Sequence, residues 1–176
     1  MLRYRDGDAT AFDDLYTRHR APLFRYILRQ CGERALAEEM VQDVWLRIVK
    51  ARARYEVRAK FTTYLYTLAH NRIIDHYRRS DREIPSSYAS SDAVAVEEIE
   101  ANLGDQPEVD VEACDLVERF TRALTNLPEA QREVFILRQE AGLSIEDIAA
   151  AVGVNRETAK SRLRYAVAKI RAELSE

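Results

Sequence analysis

Residues 143–171 read LSIEDIAAAVGVNRETAKSRLRYAVAKIR, and this stretch decides the fold. Ser144 stands where a helix N-cap is needed and Asp147 follows at the third helical position, the pattern of a capping box. Ile145, Ile148, Ala149 and Val152 give that helix a buried stripe, and Gly153 ends it. Val154 puts an apolar side chain into the turn, and Asn155 can cap a second helix. Along that helix Ala159, Leu163, Ala166 and Ile170 recur at intervals of four, three and four, the spacing of one buried face. Two short helices joined by a tight turn predict a helix-turn-helix. Asn155, Arg156, Glu157, Lys160, Ser161 and Arg164 fall on the first turns of the second helix, away from its apolar stripe, which suits entry into a major groove. A solvated helical hairpin would also carry a charged face. The compact order of cap, glycine, second cap and basic face favours DNA.

Working outward, the chain has 176 residues, 47% of them hydrophobic, enough for a real core. Apolar spacing at three and four predicts helices throughout and no sheet. No run approaches the eighteen or so apolar residues of a membrane span, so a soluble cytoplasmic protein without membrane insertion is expected. Cys31 and Cys114 are far apart and form no CxxC pair; both read as small core residues. The net charge of −3 hides a division. Residues 1–79 hold 16 Lys and Arg against 10 Asp and Glu, residues 80–112 one against ten, and residues 113–176 ten of each. The acidic stretch, SDREIPSSYASSDAVAVEEIEANLGDQPEVDVE, also carries Pro85, Pro107, Gly104 and five serines, and little sustained apolar periodicity. Such a segment cannot offset its own ordering entropy and reads as a linker. The expected architecture is all-α: two small helical domains, 1–79 and 113–176, joined by an acidic flexible linker at 80–112.

In the first domain, FTTYLYTLAHNRIIDHYRR (61–79) mixes rings with arginines. Taken as one helix, Phe61, Leu65, Leu68, Ala69 and Ile73 share a broad core face, whereas Tyr64, Asn71, Asp75 and Arg78 project together elsewhere. Only some of the rings are therefore free to stack on bases. The preceding KARARYEVRAK (50–60) adds five positive charges and Tyr55 in a segment expected to be a loop. On the helix beginning near Leu36, the residues Ala37, Met40, Val41, Val44 and Ile48 point inward, which clusters Glu39, Gln42, Asp43 and Leu46 outward.

The segments GDATAFDDLYTRHRAPLFRYILR (7–29), AEEMVQDVWLRI (37–48) and 61–79 resemble region 2 of extracytoplasmic-function sigma factors. These are the smallest kind in the sigma-70 family of bacterial promoter-recognition subunits. LPEAQREVFILRQEAGLSIEDIAAAVGVNRETAKSRL (127–163) resembles region 4. The resemblance covers nearly the whole chain and implies function. Region 2 would hold the clamp coiled coil of core RNA polymerase through Glu39, Gln42, Asp43 and Leu46. It would capture the melted −10 strand through Arg52, Arg54, Tyr55, Arg58, Lys60, Tyr64, Asn71, Arg78 and Arg79. Region 4 would read the −35 duplex. Core polymerase, promoter DNA and an anti-sigma factor are the implied partners, and no cofactor or metal is expected. Tyr64 stands where many relatives carry tryptophan and Trp45 where phenylalanine is usual, which bears on promoter preference more than on fold. Glu157 can accept from a cytosine amino group or complement the positive end of its helix. The acidic linker can lie in the polymerase channel through which RNA leaves, or be a solvated tether.

Two other readings compete. An enzyme using His70, Asp75 and His76 is disfavoured, because residues six apart lie about 120° apart around a helix rather than on one face. Asp75 pairing with Arg78 or Arg79 accounts for it without catalysis. A conventional helix-turn-helix repressor or activator with a helical partner domain explains the C-terminal motif but not the acidic tether.

Overall fold

A computed structural model describes residues 1–83 and 111–175. The first helix, α1 (Leu2–Arg5), is one turn long and leads into α2 (Thr10–Cys31) and α3 (Arg34–Lys50). A single 3-10 turn, Arg52–Arg54, opens the loop to α4 (Phe61–Glu83). The second half comprises α5 (Val111–Thr125), α6 (Glu129–Glu140), α7 (Ile145–Val152) and α8 (Arg156–Ser175). No strand occurs among the described residues. Helix α4 runs four residues past the expected boundary at 79, and α5 starts at Val111. Most of the acidic segment, and with it the question of an RNA-channel contact, lies outside the described residues.

The first half packs α2, α3 and α4 around Leu23, Tyr26 and Ile27, around Met40, Val44 and Ile48, and around Leu65, Tyr66 and Ile73. Trp45 is also buried. Its ring meets Phe12 and Tyr16 edge-on at centroid distances of 5.7 and 5.1 Å, a geometry that aromatic quadrupoles favour. The inward face of α3 is therefore one residue wider than its spacing implied. Helix α2 stops at Gly32, whose φ of +72° is a left-handed C-cap. Cys31, next to it, is half-buried rather than a core residue, with Sγ donating to Glu33 O at 3.4 Å. Cys114 has no described side chain.

The second half contains the helix-turn-helix. Asp147 N donates to Ser144 Oγ at 3.1 Å, the N-cap bond, and Ser144 Oγ donates to Asp147 Oδ2 at 2.8 Å, so the return bond of the expected capping box runs between the two side chains. Gly153, with φ +69°, ends α7, and Thr158 N donates to Asn155 Oδ1 at 2.7 Å at the start of α8. Four consecutive residues of α6, Val134 to Leu137, are buried. A helix buried all round must be covered on more than one side. Here α8 covers one side and α2 another.

The two halves thus pack on one another, α6 on α2 and α7 on α4, where tethered but separate domains were expected. Three carboxylates spaced by seven in the second half carry the polar part of this contact. Glu133 Oε1 accepts from Tyr26 Oη at 2.7 Å and lies 2.7 Å from His70 Nδ1. Glu140 accepts from Arg25 at 2.6 Å and from Arg29 at 2.5 Å. Asp147 accepts from Lys60 Nζ at 2.8 Å and Thr63 Oγ1 at 2.9 Å.

Candidate functional site

The face of α8 opposite Ala159, Ala166 and Ile170 leaves Asn155, Arg156, Glu157, Lys160 and Arg164 exposed, with Ser161 partly covered. Two cap hydrogen bonds and a glycine fix the angle at which this face is presented. Arg156 is not a loose side chain. Its Nε donates to Glu146 Oε1 of α7 at 2.6 Å and its Nη1 to Glu157 Oε1 at 3.0 Å. These contacts raise the guanidinium pKa and lower that of Glu146. Glu157 therefore faces Arg156 in addition to the start of its helix. The Arg164 guanidinium lies 5.0 Å from the Tyr165 ring centroid, and Tyr165 is itself exposed.

In the first half, the loop 51–60 stands against α1 and the start of α2. Between them opens a cavity of about 440 Å³ whose walls include Arg3, Arg18, Tyr55, Val57, Lys60 and Phe61. Tyr55 is only 8% exposed, its ring 5.4 Å from that of Tyr64. Burial raises both phenol pKa values. The two tyrosines therefore form a supported wall. Arg52 lies 4.7 Å from the Tyr4 ring centroid, Arg54 is exposed, and Arg58 pairs with Glu56 at 2.8 Å. Lys60 is turned to the other half and held by Asp147. That lysine, with Ser144 and Thr63, pulls the Asp147 carboxyl down to about 2.

Asn71, Arg78 and Arg79 are exposed along α4, with Tyr64 half-buried on the same helix. Asp75 pairs with Arg47 of α3 at 3.9 Å, not with Arg78 or Arg79: the neighbouring helix offers a cation across the α3–α4 cleft that helical spacing alone does not reveal. His70 faces Glu133 and His76 lies beside Tyr77, so the structure does not bring the histidine pair and Asp75 to one point. Among the described residues no group of three His, Cys, Asp or Glu gathers as a metal would require.

On α3, Glu39, Gln42 and Leu46 are exposed and Asp43 is half-exposed. Sequence reasoning found this face but missed what lies beneath it. Arg72 of α4, buried, donates to Asp43 Oδ2 at 2.7 Å and Glu39 Oε1 at 2.9 Å. The available signal was an arginine next to Ile73 and one turn from Ala69 on a core-facing helix, which needs carboxylates nearby to be tolerated there.

This arrangement matches known proteins at every level. The family model for sigma-70 region 2 matches residues 15–83 and that for sigma-70 region 4 matches residues 118–170. The chain is 31% identical over 179 residues to RNA polymerase sigma factor CarQ of Myxococcus xanthus, covering 100% of this chain and 96% of that one. It is 33% identical over 178 residues to the ECF RNA polymerase sigma factor RpoE of Cereibacter sphaeroides, covering 99% and 93%. The chain belongs to the extracytoplasmic-function group of the sigma-70 family. Among solved structures, RpoE of Bartonella quintana in complex with the anti-sigma factor NepR has the same fold. Its TM-score is 0.75, its identity is 24%, and 95% of this chain and 98% of that one are covered. CnrH in complex with the cytosolic domain of CnrY gives a TM-score of 0.68 at 21% identity, covering 99% and 94%.

Within this sigma factor the described elements divide cleanly. Region 2 runs from Leu15 within α2 to the end of α4, with the exposed carboxylates of α3 and the ring-and-cation loop before α4. Region 4 spans most of α5, all of α6 and α7, and most of α8, and its helix-turn-helix is the α7–α8 pair. The function is promoter-directed initiation of transcription with core RNA polymerase, and a stand-alone repressor is not favoured. No described helix is long and apolar enough to cross a membrane.

Proposed function

We propose the following division of labour within the sigma factor. The exposed face of α8 reads the −35 duplex, with Arg156, Glu157, Lys160 and Ser161 at base edges and Asn155 and Arg164 beside them. The loop 51–60 and α4 capture the melted −10 strand. The cavity against α1 has an apolar wall for a base and cations at its rim for phosphates, so burial of a ring can offset part of the cost of unpairing it. Arg52, Arg54, Arg58, Lys60, Asn71, Arg78 and Arg79 supply the polar contacts, with Tyr55 and Tyr64 as the wall. Glu39, Gln42, Asp43 and Leu46 form the dock for the basic coiled coil of core polymerase.

Lys60 is engaged by Asp147 at 2.8 Å, so a phosphate of the −10 strand competes with this contact between the loop before α4 and α7. The role is non-catalytic and cytoplasmic, and RNA synthesis belongs to the polymerase. An anti-sigma protein is the natural restraint, since similarly folded chains occur in complexes with such partners. The observation that carries the division is the α7–α8 pair, fixed by two caps, which leaves five polar residues exposed on one face.

Transcription with purified core polymerase and genomic DNA tests it. Discrete start sites sharing −35 and −10 sequences are expected only when this chain is added. Duplex binding without any association with core would overturn the reading in favour of a repressor.

A further inference from the structure

We propose that Arg72 is a positioning residue of the polymerase dock. It holds the Glu39 and Asp43 carboxylates in the geometry in which they meet a basic partner. The proposal rests on the assignment of that face of α3 to core polymerase. Arg72 lies on α4 and is 7% exposed, whereas the Glu39 and Asp43 side chains are 64% and 41% exposed. A buried cation therefore sits directly under two anions that look outward.

The two carboxylates lie four residues apart, on successive turns of α3, so one planar fork can reach both. Nε takes Asp43 Oδ2 and Nη2 takes Glu39 Oε1. Each carboxylate uses one oxygen on this bond. Among the described residues, Glu39 Oε2 and Asp43 Oδ1 have no hydrogen-bond partner. Two acceptors are thus left unused by the fork, and one of the two negative charges remains uncompensated, as a basic partner requires.

An exposed glutamate otherwise samples many rotamers, and ordering it on binding weakens the complex; a fork that orders it beforehand removes that loss. Lysine would substitute only in part. Its compact ammonium has no fixed pair of donors to span two carboxylates. The same bonds tie α3 to α4, next to Asn71, so the dock and the −10 helix share one buried guanidinium.

The test measures affinity of the full chain for purified core polymerase across a salt series, with a thermal melt of each variant to correct for the folded fraction. Arg72→Met is expected to weaken core binding roughly tenfold, the effect of freeing the Glu39 and Asp43 side chains at an interface. Arg72→Lys should recover part of it. In a Glu39→Gln background, Arg72→Met should have a smaller effect, because one of the two ordered carboxylates no longer contributes.

The sign decides against the alternatives. If Arg72 acted through its charge alone, removing it would leave two uncompensated carboxylates facing a basic partner, and binding would tighten. Tighter binding, or unchanged affinity of the folded fraction with a lower melting temperature, overturns the proposal. Charge reversal at Glu39 and Asp43 separates the two levels: no effect on core binding removes the dock and Arg72's role together. A large effect there with none at Arg72 removes only the positioning role.

Discussion

The two halves of the molecule hold their functional groups by different means. In region 4 the helix-turn-helix is written locally: Ser144 caps α7, Gly153 ends it and Asn155 caps α8, all within twelve residues. In region 2 the N-cap of α3, Glu33, makes no side-chain cap bond, and the helix is placed by its broad apolar face and by Trp45 wedged against Phe12 and Tyr16. The polar groups follow suit. Arg156 is held by residues one and ten positions away, whereas Glu39 and Asp43 depend on an arginine some thirty positions on. A locally specified site keeps its shape when its neighbours leave. A site specified by distant partners is sensitive to whatever touches them.

The contact between the halves is the strongest place to break that contrast. Glu133 serves both Tyr26, fully buried and with its phenol pKa raised by burial and by this carboxylate, and His70. Glu133→Ala would leave a buried hydroxyl without its acceptor, a loss of roughly 3 kcal/mol. Dyes placed on α2 and α8 should report the halves moving apart, while far-ultraviolet circular dichroism stays helical. If the distance and the melt both stay as they are, the contact does not hold the halves. The groups left without partners on the facing elements, Gln30 Nε2 and Tyr66 Oη in region 2 and Gln131 Oε1 in region 4, would gain water on opening. The contact is in that sense suited to being reversible.

Arg156→Ala comes next, at roughly 1–3 kcal/mol of binding to the preferred −35 duplex if the guanidinium reads a base edge. The loss should vary with the −35 sequence. Equal weakening on every variant would reduce Arg156 to a phosphate contact. Because its supports are Glu146 and Glu157, the size of the effect should be the same in isolated and polymerase-bound chain.

What the sequence revealed follows the same line. The caps, the turn and the exposed face of α8 depend on residues within a few positions of one another, and all were legible. So were most of the inward residues of α3 and α4, because period carries them, though Trp45 and Tyr66, buried beside those stripes, were not. The packing of α6 on α2 was not legible, since a carboxylate at 133 or 140 reads as an ordinary exposed charge until a distant tyrosine and two arginines are placed beside it. Arg72 and the burial of Tyr55 were hidden for the same reason. Asp75 found Arg47 across a cleft rather than a neighbour on its own helix. Side chains that answer to another element cannot be read from spacing within one.

Smaller again is the effect expected at two left-handed glycines that end helices, Gly153 in region 4 and Gly32 in region 2. A Cβ would meet nothing within 4 Å at either, so Gly→Ala introduces only the strain of a positive φ, about 1–2 kcal/mol. Thermal melts should fall equally for both. Only Gly153→Ala should also lower −35 affinity, because it sits between the two helices of the DNA-reading pair. A matching loss of DNA affinity from Gly32→Ala would mean that the halves do not act separately.

The smallest effect concerns Asp147, where the local and the distant meet. Its carboxylate is held by Lys60 and Thr63 of region 2 and by Ser144 of its own helix, and its pKa falls from 3.8 to about 2. A carboxyl with a lowered folded-state pKa contributes stability above the unfolded value, and loses it as pH falls from near 4 toward 2. The contribution is on the order of 1 kcal/mol, since the Lys60 side chain is 70% exposed and water and salt screen its charge. Lys60→Met removes the distant partner and keeps the cap; Ser144→Ala does the reverse. With Lys60→Met the inter-half distance should begin to grow at higher pH than in the unaltered chain, and added salt should shift the unaltered chain the same way. Ser144→Ala should instead lower the melting temperature of region 4 by the loss of a cap, about 1 kcal/mol. Identical acid profiles for the Lys60→Met variant and the unaltered chain would show that the cap alone holds the carboxylate. Lys60 would then be available to the −10 strand without any parting of the halves.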